Sequence, residues 1–341
     1  MKMTRTAAAA SASVLLMSLA ACGSSEDSGA SGGDASCSVG FANPTGQNTY
    51  TGAVVDAIKI KVEAKGCEFT ELDAKLDVSQ QISDVQTLIT KGVDALVIYP
   101  LDYASEKNVL EKAKSGGIAV FGDNADITAV GPDAPASPLT GQVIDAHLNV
   151  EFVKARFEYL ASVLPGGAGE IVYVGAGLPI APLDKEWELT QEVAKDYPDI
   201  KIIDRVNNPS DDVAGAQSPA AAALSKYPDM DGFISYNDPS AIGAAAAIKN
   251  AGRTDDVFSV GAQLQPEGLA AIENGSLIAT FDFTPVQMGS MLADLIIAAI
   301  DGDTEAASKV VEGGYELYTE DNIGDFVSTE DQLAELEASV S

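Results

Sequence analysis

Carboxylate and amide side chains that closely follow apolar runs are the residues of this chain best suited to chemistry. Asp123 and Asn124 come shortly after the run at 118–121, while Asp77 and Asp102 follow two earlier runs. Such groups exchange hydrogen bonds readily with hydroxyls. If the runs are strands of a parallel sheet, their carboxyl ends form the edge at which ligands bind. The sequence therefore predicts a site for a small polar ligand at this edge.

Motifs that would support catalysis are absent from the sequence. It has no phosphate-binding Gly-Lys-Ser/Thr loop, no nucleophile elbow and no paired-histidine metal motif. Gly175-Ala176-Gly177 follows a predicted strand, but Ile180 occupies the place of the third glycine in a dinucleotide-binding loop. The single histidine, His147, opens a predicted helix and is expected at the surface rather than acting as a base. We expect no enzymatic activity, no cofactor and no metal.

Strands and helices alternate along the chain, and this order must position the polar groups. A helix ends at Gly92, the β-branched run 93–99 follows as a buried strand, Ser105 caps the next helix, and another strand lies at 118–121. Short joints between such elements favour a parallel sheet wrapped by helices. The same pattern predicts strands at 38–41, 68–72, 170–174, 201–206, 232–236, 257–261 and 277–283 and helices at 49–65, 147–164, 184–196, 212–226, 239–251, 266–274 and 285–300.

An internal repeat indicates two lobes of similar architecture. One offset aligns Asp94 with Asp231 and Tyr99 with Tyr236, together with the apolar residues between them. A lobe that occurs twice creates a cleft between two strand-end edges, which is a natural ligand site. The predicted fold is α/β, with two doubly wound parallel-sheet lobes joined by a multi-strand hinge.

Composition shifts set the expected boundaries of the lobes. The stretch 126–141 is rich in proline and glycine and has no periodicity, which is typical of a connection. The expected division is an N-terminal lobe of 37–125 plus 284–312, a C-terminal lobe of 126–283 and a C-terminal segment of 313–341.

The first 36 residues predict an export signal and a tether. A basic start and an apolar stretch at 7–20, too short for a transmembrane helix, precede Leu19-Ala20-Ala21-Cys22, which resembles a bacterial lipobox. Residues 1–21 would then be a lipoprotein signal peptide, Cys22 the lipidated residue, and 22–36 a flexible tether. The alternatives are an ordinary secretory signal and a buried helix with an incidental cysteine.

The two remaining cysteines and the net charge fit an exported protein. Cys37 and Cys67 each stand just before a predicted strand, and neighbouring strands would place them side by side as a disulfide. Two free thiols are the alternative, while a metal site is disfavoured because His147 lies far along the chain. The net charge of −31 opposes binding to nucleic acid and anionic lipid.

Several segments together carry a family resemblance. They lie around Asp77 and at 81–85, 92–98, 117–123, 233–244 and 271–289. These segments resemble the periplasmic-binding-protein type I domain of the ribose- and galactose-binding group, the substrate receptors of sugar ABC importers. The resemblance runs from residue 38 to about residue 302 and implies the same two-lobe fold.

The resemblance also implies which residues bind the ligand. Polar contacts are implied for Asn48, Asp77, Asp123 and Asn237, and a stacking contact for Tyr50. The alternatives are that Asn48 and Tyr50 belong to a solvated turn and that Asp123 caps the turn after its strand.

This chain departs from the ribose-binding pattern at four further candidate positions. Asn124 and Lys185 stand where arginines are expected, Gln263 stands where an aspartate is usual, and Phe283 occupies a polar position. Fewer arginines and one more aromatic imply a ligand other than ribose.

These inferences lead to one expected function. We expect a lipid-anchored receptor on the outer face of the bacterial cell membrane, or in the periplasm, that closes two lobes over a sugar or polyol. It would deliver this ligand to the permease of an ABC importer, as a monomer that binds no nucleic acid. The alternative is a sensor subunit that presents the ligand to a receptor kinase or chemoreceptor.

Overall fold

The structure is a computed structural model, and it describes residues 37–125, 137–178 and 180–341. The expected signal peptide, the lipidation site Cys22 and the tether lie outside the described residues, as does most of the proline-rich stretch. Among the described helices, none has both the length and the apolar character needed to cross a membrane.

The predicted elements appear in the expected order, with boundaries within about three residues of those expected. The strands are β1 (Cys37–Asn43), β2 (Cys67–Asp73), β3 (Ala95–Ile98), β4 (Ala119–Asp123), β5 (Gly141–Ile144), β6 (Gly169–Ala176), β7 (Ile200–Asn208), β8 (Gly232–Ser235), β9 (Phe258–Val260), β10 (Thr280–Asp282), β11 (Val310–Glu312) and β12 (Glu316–Tyr318). The helices are α1 (Thr49–Ala64), α2 (Val78–Lys91), α3 (Tyr103–Ser115), α4 (Val150–Val163), α5 (Ala181–Val193), α6 (Val213–Lys226), α7 (Asp238–Asn250), α8 (Pro266–Glu273), α9 (Pro285–Ile300), α10 (Thr304–Ala307) and α11 (Thr329–Val340). The structure thus adds β5, β11, β12, α10 and α11, which were not predicted.

The first lobe is built on a parallel sheet with the strand order β11-β5-β4-β3-β1-β2. Successive residues of β3 point to opposite faces, so Leu96 packs in the core beneath α2 and α3 while Val97 packs in the core beneath α1 and α9. A strand buried on both faces needs a continuous apolar sequence, and β3 has one.

Cys37 and Cys67 are register partners at the start of β1 and β2. Their Cα atoms lie 4.4 Å apart, and the two residues are joined by a disulfide. Parallel pairing of neighbouring strands therefore brings the two cysteines together, as the sequence suggested.

The second lobe repeats this plan with a parallel sheet of order β7-β6-β8-β9. A bridge between Val260 and Ala279 leads on to β10, which pairs antiparallel with β12. Alternate residues of β6 face different cores: Tyr173 packs with helices α4 and α5, while Val172 and Val174 pack with α6 and α7.

The aligned aspartates of the repeat play the same role in both lobes. The Asp94 carboxylate accepts a hydrogen bond of 2.8 Å from the backbone N–H of Ser38 in β1. The Asp231 carboxylate accepts one of 2.7 Å from the backbone N–H of Glu170 in β6. Each aspartate precedes a central strand and connects it to the neighbouring strand through this hydrogen bond. The sequence repeat therefore corresponds to a repeated structural element.

The first lobe extends further along the chain than the sequence suggested. The predicted start of the C-terminal lobe at residue 126 is wrong, because β5 pairs with β4 and therefore belongs to the first sheet. β11 pairs in turn with β5. Gly141 makes this edge possible, since a Cβ at that position would lie 2.2 Å from the carbonyl oxygen of Ala307.

The chain passes between the lobes after β5, after β10 and after β11, and these passages form the hinge; it returns once more to the first lobe after β12. The C-terminal segment belongs to both lobes. Its strand β12 joins the second lobe through β10, while Leu333 and Leu336 of α11 pack against Ala53 and Ala57 of α1 in the first lobe.

One predicted helix cap is wrong. Asp102, rather than Ser105, caps α3 by accepting hydrogen bonds from the backbone N–H groups of Ala104 and Ser105. The hydroxyl of Ser105 donates to the same carboxylate at 2.6 Å. Asp102 is thereby committed to the helix N-terminus, because its carboxylate satisfies donors that the helix leaves open.

Candidate ligand-binding cleft

A narrow cavity of about 40 Å³ lies between the strand-end edges of the two lobes. The first lobe lines it with Pro44, Thr45, Asn48, Tyr50, Thr51, Leu76, Tyr99, Pro100 and Leu101, and the second with Ile180, Leu183, Asp211, Tyr236, Asn237 and Gln263. A ligand pocket for a small molecule typically measures roughly 300–1,000 Å³. The lobes are therefore closed onto each other, and a sugar-sized molecule can enter only when they separate.

Asp123 and Asn124 stand at the end of β4, behind the first wall and outside the residues that line the cavity. Asp123 is 1% exposed, and neither of its carboxylate oxygens has a hydrogen-bond partner among the described residues. Burial, with the charge of Asp145, raises the pKa of Asp123 well above its ordinary value. Asn124 adopts a left-handed backbone with φ of 53° and accepts a hydrogen bond of 2.7 Å from the backbone N–H of Asp145.

Tyr50, Asp145 and His147 form a buried cluster where the chain leaves the first lobe. The Tyr50 hydroxyl donates to the Asp145 carboxylate at 3.2 Å. His147 Nδ1 lies 3.4 Å from that carboxylate, and Nε2 lies 3.2 Å from the carbonyl oxygen of Tyr236. Both ring nitrogens face acceptors, which favours the doubly protonated ring.

The charges of this cluster stabilise each other. Burial alone would lower the pKa of His147, but the charges of Asp145 and Glu186 raise it to about 9. Burial alone would raise the pKa of Asp145, but the charge and hydrogen bonds of His147 lower it below its ordinary value. The expectation that His147 lies on the surface is therefore wrong, because tertiary contacts from both lobes enclose it completely.

On the second wall, Asn237 and Tyr236 converge on Asp211. Asn237 Oδ1 accepts the backbone N–H of Ser240 at 3.0 Å and so caps α7, while its Nδ2 donates to Asp211 at 2.6 Å. The Tyr236 hydroxyl also donates to Asp211. These polar groups are thus held in place before any ligand arrives.

Gln263 and Phe283 lie where the second lobe returns to the hinge. Gln263 lines the cavity with a left-handed backbone of φ 82°, and its side-chain oxygen accepts a hydrogen bond of 2.9 Å from Gln265. Phe283 is fully buried, and its ring meets those of His147 and Phe152 edge-on, with centroids 4.7 and 4.8 Å away. Phe283 supports the cleft from behind and does not line the cavity.

The remaining predicted site residues divide between the cleft and other positions. Asn48 lines the cavity and caps α1, accepting from the backbone N–H groups of Tyr50 and Thr51. Asp77 is exposed, caps α2 and lies outside the cavity lining. Lys185 pairs with Glu188 at 2.8 Å on the surface of α5 and is likewise absent from the lining.

Tyr99, Asp145, His147 and Asp211 were not among the predicted site residues. The internal repeat carried a signal for Tyr99, since it aligns with Tyr236 and both line the cavity. Asp145 and Asp211 stand in loops without periodicity, so no local pattern marks them.

Each wall is braced from behind by a different kind of group. In the first lobe, the buried amide of Gln81 donates to the carbonyl oxygens of Ala42 and Tyr99 and accepts from the N–H of Leu101. In the second lobe, the buried Arg156 donates to Glu186 at 2.7 Å and to Thr190 at 3.0 Å.

No group of three or more His, Cys, Asp or Glu side chains within the described ranges is arranged to hold a metal ion. The residues that line the cleft offer hydrogen bonding and aromatic contact. Amides, carboxylates and tyrosines from both walls would meet around one enclosed ligand.

Comparison with known proteins places this geometry in context. A family model described as a periplasmic binding protein domain matches residues 39–304. The xylitol-binding protein of Mycolicibacterium smegmatis is 29% identical, over 71% of this chain and 67% of its own length. The ribose import binding protein of Bacillus subtilis is 26% identical, over 83% of this chain and 84% of its own length.

A solved structure shares the fold. The solute-binding protein of an ABC transporter from Burkholderia graminis, in complex with D-arabinose, superposes with a TM-score of 0.76 at 20% identity. The match covers 87% of this chain and all of the other.

Proposed function

The chain belongs to the periplasmic binding protein domain family, and on that premise we propose that it is an exported receptor that encloses a sugar or polyol between its lobes. Members of this family are solute-binding receptors and not enzymes. The relatives that bind xylitol and ribose support a polyhydroxylated ligand. We further propose that the protein delivers this ligand to the permease of an ABC importer.

The observation that carries this proposal is the cavity between two polar walls. Asn48 and Tyr50 on one side and Asn237 and Gln263 on the other offer donors and acceptors for hydroxyl groups. Because the closed cavity holds only about 40 Å³, binding requires the lobes to open and then close around the ligand. Such hinge closure allows a receptor to present its bound form to a membrane partner.

The test is binding measured by thermal shift and calorimetry against pentoses, hexoses and linear polyols. A cognate ligand at a hundred times its Kd should stabilise the protein by about 2.7 kcal/mol. The ligand should be recovered unchanged, since the proposal includes no chemical step. Failure of every polyhydroxylated compound to shift the melting curve would contradict the proposal.

Membrane anchoring through Cys22 is part of the same proposal. The sequence around Cys22 supports it, because a lipidated cysteine would place the folded part on the outer face of the membrane. Cys22→Ser should move the protein from the membrane fraction to the soluble fraction, with ligand binding unchanged. Unaltered partitioning would contradict the anchor but leave the receptor function standing.

A further inference from the structure

The cleft has an excess of negative charge. Asp211 lines the cavity, and Asp123 and Asp145 lie behind it, beside Tyr50. Burial raises the pKa of Tyr50, and the charges of Asp145 and Asp123 raise it further. Among the described residues that line the cavity, none is lysine or arginine. The adjoining space of about 320 Å³ at the mouth adds Asp212 and Glu267, again with no described basic residue in its lining.

Within the described ranges, the only positive group close to these carboxylates is His147, and its contacts are already assigned. Its Nδ1 faces Asp145, and its Nε2 faces the Tyr236 carbonyl, with Glu186 3.8 Å away. Asp211 is met by neutral donors from Tyr236 and Asn237. Asp123 is 1% exposed and neither of its oxygens has a partner among the described residues, so a buried acceptor without a counter-charge lies behind the first wall.

A buried carboxylate without an opposite charge is strongly unfavourable when ionised. Hydroxyl groups of a neutral ligand could donate to Asp123, but they would leave its charge uncompensated. A ligand cation would supply both the donors and the charge. Tyr50, Tyr99 and Tyr236 also line the cavity, and aromatic faces attract cations.

We propose that the ligand is a polyhydroxylated molecule bearing a protonated primary amine, such as an amino sugar or an amino polyol, with its ammonium group directed at Asp123. This inference rests on the proposed receptor function and narrows its substrate class. Asn48, Asn237 and Gln263 remain available for the hydroxyl groups of the same molecule.

The form of the cation follows from the geometry of Asp123. Its two oxygens, which have no partner among the described residues, can both accept from one cation that carries N–H donors, and a primary ammonium carries three. A quaternary ammonium has no N–H and would leave both oxygens unsatisfied.

The test is calorimetry on the full-length protein with three matched pairs of probes. These are D-glucosamine with D-glucose, D-galactosamine with D-galactose, and 1-amino-1-deoxy-D-glucitol with D-glucitol. The expected result is that in at least one pair the amine binds roughly tenfold or more tightly than its neutral partner. Equal or tighter binding of the neutral member in every pair that binds would overturn the inference.

Failure of the inference and failure of the receptor function give different results. If a neutral sugar from the wider panel binds while no amine does, the inference is overturned and the receptor function stands. If no compound of either kind binds, both are overturned.

Variants test whether Asp123 makes the distinction. The isosteric Asp123→Asn should reduce the preference for the amine to about twofold or less, because it removes the charge while keeping the shape. Asp56→Asn is the matched control, since Asp56 is exposed on α1 and its loss changes the net charge equally. Melting curves confirm that both variants fold, and Asp211→Asn should weaken the preference if Asp123→Asn does not fold. An unchanged preference in both cleft variants would overturn the inference.

Discussion

The two lobes share a framework but differ in the groups they bring to the cleft. Tyr99 of the first lobe and Tyr236 of the second occupy equivalent positions after central strands and both line the cavity. Beside Tyr99 stands the neutral Asn124, whereas the hydroxyl of Tyr236 donates to Asp211. The repeated residues thus determine where the two walls lie, and the residues that differ between the lobes determine which polar groups each wall offers.

Buried acids near the two strand ends show the same difference. Asp238, at the start of α7, receives hydrogen bonds from the Thr280 hydroxyl at 2.6 Å and the Gln265 N–H at 2.8 Å. Asp123 receives none from the described residues. The buried acid of the second lobe is therefore satisfied within the protein, whereas Asp123 is a buried acceptor that fits the proposed contact with the ligand.

The largest loss of protein stability is expected when the buried group that supports the second wall, Arg156, is replaced. Arg156→Met leaves Glu186 buried without its partner and should lower the free energy of unfolding by about 3–5 kcal/mol. Denaturant unfolding measures this loss. The double variant Arg156→Met/Glu186→Leu should recover much of it, because no charge is then left unpaired.

A control for the second-lobe brace is Lys154→Met on the same helix. Lys154 pairs with Glu151 at the surface, and its replacement should barely move the unfolding midpoint. If Arg156→Met were as stable as Lys154→Met, the ionic brace would contribute nothing.

His147 lies between Asp145 of the first lobe and Glu186 of the second, and its charge interacts with both. Because this charge depends on protonation, the contribution of His147 to stability should depend on pH. Its pKa of about 9 in the folded protein exceeds its ordinary value of 6.5, so its stabilisation is complete below pH 6.5 and is lost as the pH rises through 9. The stability difference between the protein and His147→Gln should shrink over this range by on the order of 3 kcal/mol. The groups facing the ring are Asp145, Glu186 and Asp211. A difference that is constant with pH would argue against a charged His147.

Asp123→Ala tests whether the carboxylate of Asp123 binds the ligand or instead stabilises the unliganded fold. Affinity should fall about ten- to a few hundredfold, because charged hydrogen bonds contribute roughly 1.5–3 kcal/mol each. Unliganded stability should not fall, since Asp123 makes no hydrogen bond within the described fold. Asp77→Ala should do the reverse and lower stability by about 1 kcal/mol without changing affinity, since Asp77 caps α2 outside the cavity. Calorimetry and apo melting curves on both variants separate these roles, and a destabilised apo Asp123→Ala would favour a capping role.

The neutral brace of the first lobe should matter less than the ionic one. Gln81→Leu leaves two carbonyl oxygens and one N–H without their partner and should cost about 1–3 kcal/mol of unfolding free energy. Gln86→Leu, at an exposed position of the same helix, is the matched control and should have little effect. A loss for Gln81→Leu as large as that for Arg156→Met would remove the contrast between the two braces.

The smallest effect is expected at Asn237. Asn237→Ala should weaken binding by roughly three- to tenfold, because the lost hydrogen bonds are neutral, and should lower apo stability by about 1 kcal/mol, because the cap of α7 is lost. Asn237→Ser should keep the cap of α7 and lose the amide donor to Asp211, so it should be more stable than Asn237→Ala while still weakening binding. If both variants bound as well as the original protein, the second wall would not contact the ligand through Asn237.

Much of the fold could be predicted because its strands are short, apolar and repeated. β3 is a continuous apolar segment, β8 is one apart from its last residue, Ser235, and the residues before and after them align between the lobes. β5 was missed because its four residues follow a proline-rich stretch and its pairing depends on β4 and β11. Local patterns cannot reveal a strand that only tertiary contacts define.

The site was harder to predict than the fold. Asp123, Asn237 and Gln263 lie at or near the cleft as expected, but Asp77 looked the same in the sequence and caps a helix instead. His147 was misjudged because nothing in its neighbours shows that the other lobe will bury it. A polar residue after a strand has several uses, and only the three-dimensional surroundings decide among them.

The order of the chain in the first lobe has a consequence for its biogenesis. Helix α9 packs so closely on α1 that a Cβ on Gly289 would lie 2.2 Å from the carbonyl oxygen of Val54. These residues are far apart in sequence, and the four-stranded sheet of the second lobe is synthesised between them. During vectorial emergence of the polypeptide, the second lobe can complete its core first, while the first lobe must wait with an uncovered sheet face. In the nascent chain, the face of the first sheet that α9 covers therefore stays exposed until residues 285–300 have emerged.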